Sequence, residues 1–333
     1  FPTRRSSDLT IQNCYFHDNQ QSAILSAANA YSSPKILNNR LYNNDLSNGN
    51  FPQINLGVGA TNDTIYIVGN TIEGLESNMS GGIGIMNIYS SPTKILVKQN
   101  IIKNNRYGFS PMGNKISAII LDNQLINNNL ETNPNNGGSG ISIYGTDTSM
   151  YAYIRNNVIT GNLWGITAIF HHKIDMGTID DMGNNFIFNN ENSGIKYDLY
   201  NNSADDIFAI GNYWGTSDSA EIENAIVHQT DNANYGKVYY TPFLPSTTLK
   251  EKTNTTSYIQ IYPNPILHNK INLYNTTKEQ INITLYSVYG QIYKQLQSNN
   301  EHIVIDVNNL PKGIYFIQST WKHEQVVSKI IIQ

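Results

Sequence analysis

One phrase recurs along the first two thirds of the chain: an aliphatic residue, one or two asparagines, then an aliphatic or aromatic residue. The central asparagine returns every 23 to 33 residues, the extremes being the steps from Asn100 to Asn123 and from Asn123 to Asn156. A repeat of this length with ragged spacing predicts a solenoid whose insertions lie in loops. The central asparagines are Asn13, Asn39, Asn70, Asn100, Asn123, Asn156, Asn184 and Asn212.

The neighbours of each central asparagine indicate that it is buried. Side chains alternate between the two faces of a strand, so positions −2 and +2 are expected to share a face with the asparagine. These positions are apolar, apart from Lys98. An unpaired buried amide is unfavourable, but amides stacked from turn to turn can donate and accept along a column. The sequence therefore predicts an asparagine column, inside the solenoid or at an inward-turning corner.

Two further strand-like phrases recur in each repeat. One is led by glycine or a small residue, as in "GGIGI" at Gly81, "SGISI" at Ser139 and "SGIK" at Ser193; the other precedes the asparagine, as in "TKILV" at Thr93. Three strands per turn resemble the right-handed parallel β-helix of the pectate-lyase-like superfamily, with its repeat form N-x-I-x-x-N-x-x-G-I, over residues 10–244. The last repeat predicts a closing turn, with Tyr213 and Trp214 covering the end of the core and a short helix within residues 219–228.

Composition narrows the class of protein. The net charge is −4 with 14% charged residues and no polybasic run, which argues against nucleic acid as a partner. No apolar run reaches the roughly 20 residues that span a bilayer. Cys14 is the single cysteine, so an intrachain disulfide is excluded. The opening "FPTRRSSDL", residues 1–9, resembles a translated sequencing adaptor, and we expect it to be non-native and the β-helix to be truncated at its N-terminus.

The C-terminal part differs in composition from the repeats. A polar linker is predicted at residues 245–257, followed by short strands in which apolar residues alternate, as in Ile281, Ile283 and Leu285. Its motifs resemble those of the type A sorting domain of the type IX secretion system, here residues 258–333. The residues that carry the resemblance are Tyr262, Pro263, Asn264, Pro265, Gly290, Gly313 and Tyr315.

The predicted fold class is all-β: a right-handed three-sided parallel β-helix followed by a small immunoglobulin-like β-sandwich. The sorting resemblance implies recognition by the type IX machinery of a Gram-negative bacterium. It also implies export across the outer membrane, to the cell surface or the outside. An ordinary immunoglobulin-like appendage is the alternative for this part.

The resemblance to polysaccharide lyases and glycosidases directs attention to carboxylates, which serve these enzymes as calcium ligands or as acid and base. The candidates are the adjacent pairs Asp180 and Asp181, and Asp205 and Asp206. Their offsets from the asparagine column differ, so no stacked catalytic group is predicted. A metal site is a second hypothesis, with His171, His172 and Asp175 as ligands. No cofactor is evident, and calcium is the ion that the resemblance implies. Asp122 and Arg155 are expected to form a surface ion pair.

Aromatic side chains near strand ends are the other candidate feature, because their flat faces suit sugar rings. These candidates are Tyr107, Tyr144, Tyr151, Tyr153 and Trp164. The sequence thus favours a secreted or surface β-helix that binds extracellular polysaccharide or serves as a scaffold, without a clear catalytic site. A polysaccharide lyase or glycoside hydrolase, and a structural adhesin rod, are the alternatives.

Overall fold

The computed structural model describes residues 9–133, 136–244, 259–262, 266, 269–287, 291–322 and 324–332. The chain divides into two compact units, Phe1–Thr247 and Thr248–Gln333. The segment predicted to be non-native, apart from Leu9, and the predicted linker lie outside the described residues. So do four residues of the sorting motif, Pro263, Asn264, Pro265 and Gly290.

The first unit consists of three sheets in which every neighbouring pair of strands is parallel, and each of the first seven turns of chain adds one strand to each sheet. Face A has nine strands: Thr10–Gln12, Lys35–Leu37, Thr64–Val68, Thr93–Lys98, Ile116–Leu121, Tyr151–Arg155, Lys173–Asp175, Ile207–Phe208 and Val238–Tyr239. Face B has seven: Tyr15–His17, Arg40–Tyr42, Thr71–Glu73, Ile101–Lys103, Gln124–Ile126, Val158–Thr160 and Phe186–Phe188. Face C has eight: Ile24–Leu25, Pro52–Leu56, Gly81–Asn87, Phe109–Gly113, Ser139–Gly145, Trp164–Phe170, Leu199–Asn202 and Ile226–Val227. The predicted three-sided parallel β-helix is therefore confirmed.

The strands form because each one buries aliphatic side chains on its inner side and stacks them on the same position of the next turn. On face A, Ile67, Val97 and Ile120 are successive partners in parallel register and are at most 1% exposed. Burying a side chain of this size stabilises a fold by about 1.5–3 kcal/mol. The resulting core runs through the whole β-helix unit as one continuous cluster.

A corner of two residues joins face A to face B. Three of the asparagines that were predicted to form the column occupy a different position in this corner. The first corner residue adopts the left-handed conformation, with φ near +55° in most turns, as at Asn13, Asn156 and Asn184. Asparagine and glycine tolerate this conformation best. The hydrogen-bonded column passes through the second corner residue, so these three residues lie outside it. The first asparagine column is Asn39, Asn70, Asn100, Asn123, Asn157, Asn185 and Asn212.

Each member of the first column bonds to the next in the same way. The backbone N–H and the side-chain amide of Asn100 both donate to Oδ1 of Asn123, each at 3.0 Å. The amide of Asn100 also donates to backbone carbonyls of Ile67 and Lys98. Oδ1 of Asn100 accepts from the backbone N–H and the side-chain amide of Asn70, so all polar atoms of the side chain are satisfied without water. The predicted asparagine column is confirmed, with its position shifted by one residue in three turns.

The corner also breaks the alternation of side chains that the sequence reading assumed. Ile36 and Leu41, at positions −3 and +2 from Asn39, are fully buried. Leu37, at the predicted inward position −2, is only half-buried. The left-handed residue interrupts the alternation of side chains between the two faces. Inward side chains therefore lie three residues before the column asparagine and two residues after it.

A second asparagine column, which was not predicted, lines the corner after face B. Its members are Asn19, Asn44, Asn105, Asn128, Asn162 and Asn190. In the third turn the equivalent residue is the exposed Leu75, and Gln53 fills the gap by accepting from Asn44 and donating to Asn105. The column ends at Asp198, whose Oδ1 accepts from the Asn190 side chain at 2.8 Å.

The last turns differ in part from the prediction. Ile195–Lys196, expected on face C, instead pairs antiparallel with Glu191–Asn192, and Leu199–Asn202 takes the place on face C. The helix Ser219–Asn224 is capped by the Asp218 side chain and buries Ile222. Trp214 is 2% exposed, as expected of a residue that covers the end of the core.

The second unit consists of two antiparallel sheets that share one core cluster, and it forms a β-sandwich. One sheet contains Ile259–Tyr262, Lys270–Asn275 and His302–Asp306; the other contains Ile281–Ser287, Ile292–Ser298, Gly313–Trp321 and Glu324–Ile332. The Tyr315 hydroxyl donates to the Pro311 carbonyl at 2.8 Å, so the segment from Pro311 to Tyr315, which contains the motif residues Gly313 and Tyr315, closes on itself at the start of the Gly313 strand.

Candidate binding groove on face C

A cavity of about 400 Å³ lies along the outer surface of face C. Its floor and walls come from five consecutive strands of this face, from Pro52–Leu56 to Trp164–Phe170, and from the loops that precede them. We call it the face C groove. Because the strands stack in register, outward residues of the floor form two rows that run from turn to turn.

The first row is polar and small. Asn55 pairs in register with Gly84, and Gly84 with Ser110, while Ser142 follows one turn further on. Among the described residues, no hydrogen-bond partner is found for the side chains of Asn55, Ser110 and Ser142. We call Asn55, Ser110 and Ser142 the polar row. Their amide and hydroxyl groups are available to a ligand.

The second row is apolar and lies two residues further along each strand. It consists of Met86, Met112, Tyr144 and Ile169, which are successive partners in register. Met86 is 44% exposed, and Ile169 is 7% exposed. We call these four residues the apolar row. The ring of Tyr144 meets Phe170 edge-on, with centroids 5.0 Å apart.

Tyr107 and Arg106 form one wall of the groove. The Tyr107 ring lies so close to Gly81 that a Cβ there would stand 2.5 Å from the ring, so glycine is required for this placement. Burial raises the pKa of Tyr107 to about 12, although Arg106 opposes the shift. The Arg106 guanidinium donates to the carbonyls of Asn136 at 2.9 Å and Asn50 at 2.7 Å.

The structure separates the five predicted aromatic candidates. Tyr107 and Tyr144 line the face C groove. Tyr151 and Tyr153 belong to a strand of face A, and Trp164 is 4% exposed. The sequence did not indicate Met86 and Met112, because their outward orientation follows only from the strand register.

The four candidate aspartates differ in their hydrogen-bond partners and exposure. Asp181 accepts from Arg155 at 2.8 Å and from the Tyr153 hydroxyl at 2.9 Å, and these bonds lower its pKa. Asp205 accepts from the His172 backbone N–H, whereas Asp206 accepts from the Lys237 backbone N–H. Asp180 is exposed.

Arg155 is the residue that organises this part of the molecule. It is 4% exposed and holds both Asp175 and Asp181 at 2.8 Å, with its guanidinium 4.0 Å from the centre of the Tyr153 ring. The expected pair between Arg155 and Asp122 is therefore wrong. Asp122 instead lies 3.8 Å from the Lys98 amine.

The three candidate metal ligands do not share one environment. His172 is 3% exposed and lies 3.3 Å from Asn201 Oδ1, and burial lowers its pKa. His171 is exposed and meets Asp205 at 3.2 Å, while Asp175 bonds to Arg155. Within the described ranges, no group of three or more His, Cys, Asp and Glu side chains is placed to hold a metal ion. Calcium binding stays a prediction.

Comparison with known proteins identifies the C-terminal unit. A family model described as a secretion system C-terminal sorting domain matches residues 260–333. The chain carries a type IX sorting domain. This sorting domain implies recognition by the type IX machinery and export to the cell surface or the outside. In the part of the chain that the structure describes, no helix is long and apolar enough to cross a membrane.

The β-helix unit has a second match. Residues 110–219, upstream of the sorting domain, match the family model of a protein of unknown function, DUF1565, which is a β-helix family. No curated protein matches the chain. The comparisons thus support an exported β-helix protein.

Proposed function

We propose that this exported β-helix binds an extracellular polysaccharide along the face C groove and does not cleave it. The observation that carries the proposal is the polar row, whose hydroxyl and amide groups have no partner among the described residues, flanked by the rings of Tyr107 and Tyr144. Sugars offer both hydroxyl groups and apolar ring faces, and binding sites for such ligands combine a few polar groups with aromatic surfaces.

The length of the groove favours a polymer over a single sugar. Five parallel strands span four intervals of about 4.8 Å, or roughly 19 Å along the β-helix axis. Each row of the floor occupies four successive strands in register and so covers three of these intervals, over which successive sugar units of a chain meet similar groups. A repeating ligand therefore matches a repeating surface.

The lining residues support binding without cleavage. Glycosidases place two carboxylates on either side of the bond that breaks, and lyases need a base. Among the described residues that line the groove there is no Asp, Glu, His or Lys, and the one arginine is held by two backbone carbonyls.

Replacing Tyr144 by alanine is expected to weaken polysaccharide binding by about tenfold or more, since an aromatic side chain provides much of the contact area in such a site. Tyr151→Ala is the matched control, because Tyr151 lies on face A. A polysaccharide array finds a ligand, and calorimetry then compares both variants. Equal losses in the two variants, or no binding to any polysaccharide, would contradict the proposal.

An assay for products tests the other half of the proposal. We expect incubation with each bound polysaccharide to give neither new reducing ends nor the ultraviolet absorbance of unsaturated products. New reducing ends would establish a hydrolase, and unsaturated products a lyase. Adhesion that depends on the β-helix without any glycan would instead favour an adhesin rod.

A further inference from the structure

We infer that the face C groove selects a neutral polysaccharide built from acetamido sugars, that is, N-acetylated hexosamine units. The inference rests on the proposed function and adds the chemical class of the ligand. It follows from the adjacent polar and apolar rows on the floor of the groove and from the contacts of Arg106, the one cation among the described lining residues.

The two rows differ in what they can bind. The polar row can donate to and accept from hydroxyl or amide groups. In the apolar row, only the Tyr144 hydroxyl can do so, since Met86, Met112 and Ile169 have no such capacity apart from the weakly accepting sulfur. A sugar with only hydroxyl substituents would leave those hydroxyls desolvated against the apolar row, which is unfavourable. The ligand therefore has to present apolar groups along one edge.

An acetamido group satisfies both rows at once. Residues two apart on a strand lie about 7 Å from each other, so the polar and apolar rows run side by side at this distance. A sugar ring over the polar row places its acetamido methyl against the apolar row, and the amide lies between them. Methionine adapts its shape to such groups more easily than other apolar residues.

The charges beside the groove favour a neutral ligand. Arg106 is the one charged side chain among the described lining residues, and both of its terminal nitrogens donate to backbone carbonyls, of Asn50 and Asn136. These carbonyls orient Arg106 without neutralising its charge, but one cation serves a groove that spans several sugars, so a carboxylate or sulfate on every sugar would enter without a cation for each charge. Burying unpaired charges is costly, so an acidic polymer fits the groove less well than a neutral one.

The test compares two tetrasaccharides that share a β-1,4-linked backbone. N,N′,N″,N‴-tetraacetylchitotetraose carries an acetamido group on every ring, and cellotetraose carries a hydroxyl there. Successive β-1,4-linked rings are turned over relative to each other, so every second acetamido group faces the apolar row. Calorimetry with the full chain is expected to give at least tenfold tighter binding of the acetylated tetramer. In Met86→Ser, the preference should fall toward one, with little change in affinity for cellotetraose. Met182 is a matched control, since it is 42% exposed but lies outside the groove, and Met182→Ser should keep the preference.

The possible failures are distinguishable. If both tetramers bind equally and Tyr144→Ala weakens both, the groove binds polysaccharide but the preference for acetamido sugars is wrong. Binding only to an acidic polysaccharide also overturns the inference while the proposed function survives. If no polysaccharide binds at all, both fail. If the acetylated tetramer is preferred, sedimentation with insoluble chitin and with isolated peptidoglycan shows which source of acetamido sugars the protein retains.

Discussion

Replacing Asn157 by alanine is expected to lower the free energy of unfolding of the β-helix unit by about 4 kcal/mol or more, because several buried groups lose their partners together. Oδ1 of Asn157 accepts from the backbone and side chain of Asn123, both at 2.9 Å. Its amide donates to the carbonyls of Ile120 and Arg155 and to Asn185. Alanine removes all these bonds and leaves a cavity in a closely packed corner.

The neighbouring residue provides the control. Asn156 is exposed and has φ +58°, a conformation that glycine adopts without strain, so Asn156→Gly is expected to change stability by less than about 1 kcal/mol. Thermal unfolding followed by circular dichroism measures both variants in the full chain, and about 4 kcal/mol corresponds to a fall in Tm of roughly 8–16 °C. A larger fall for Asn156→Gly than for Asn157→Ala would show that the column follows the register read from the sequence.

The asparagine column could be predicted from the repeats, but its exact position could not. The corner needs a left-handed residue and then a buried amide, and asparagine suits both positions. Where two asparagines adjoin, as at Asn156 and Asn157, residue type does not tell them apart. The first turn is the clearest case, because Asn13 is the left-handed residue and Cys14 takes the column position, where its backbone N–H donates to Asn39.

The second column had a sequence signal that the prediction left unused. Asparagine recurs five residues after the first column in most turns, as in Asn100 and Asn105, or Asn123 and Asn128. The third turn interrupts the pattern with Leu75. The substitute, Gln53, comes from a different strand and could not be found by aligning repeats, since its contribution depends on three-dimensional proximity.

The groove was only half accessible to prediction, for a related reason. Aromatic residue type was enough to select Tyr107 and Tyr144. The selection of Met86 and Met112 requires the direction in which each side chain points. The sequence does not show this direction, because the left-handed corner residues interrupt the alternation of side chains along the chain. In the same way, adjacency in sequence suggested paired aspartates, whereas Asp181 shares Arg155 with Asp175.

Replacing Asp198 by asparagine is expected to stabilise the β-helix unit at pH 8 and to have little effect near pH 4. Asp198 is 2% exposed at the end of the second column, and burial raises its pKa from 3.8 to about 7 despite the bonds from Asn190. The folded state therefore binds the proton more tightly than the unfolded state. The contribution of this bound proton to the free energy of unfolding is complete below about pH 4 and is lost as pH rises toward 7. This rise in pKa corresponds to a loss of about 4 kcal/mol in the free energy of unfolding above pH 7.

Asparagine removes this pH dependence because it is neutral at every pH and keeps a carbonyl oxygen for Asn190 Nδ2, which donates to Oδ1 of Asp198. The difference in Tm between variant and parent is expected to grow from near zero at pH 4 to about 8–16 °C at pH 8. Asp180→Asn, at an exposed side chain, controls for the change in net charge. A Tm difference that stays constant across this range would mean that the Asp198 carboxyl titrates alike in the folded and unfolded chain. The column would then end on a carboxylate that its asparagine donors are sufficient to keep ionised.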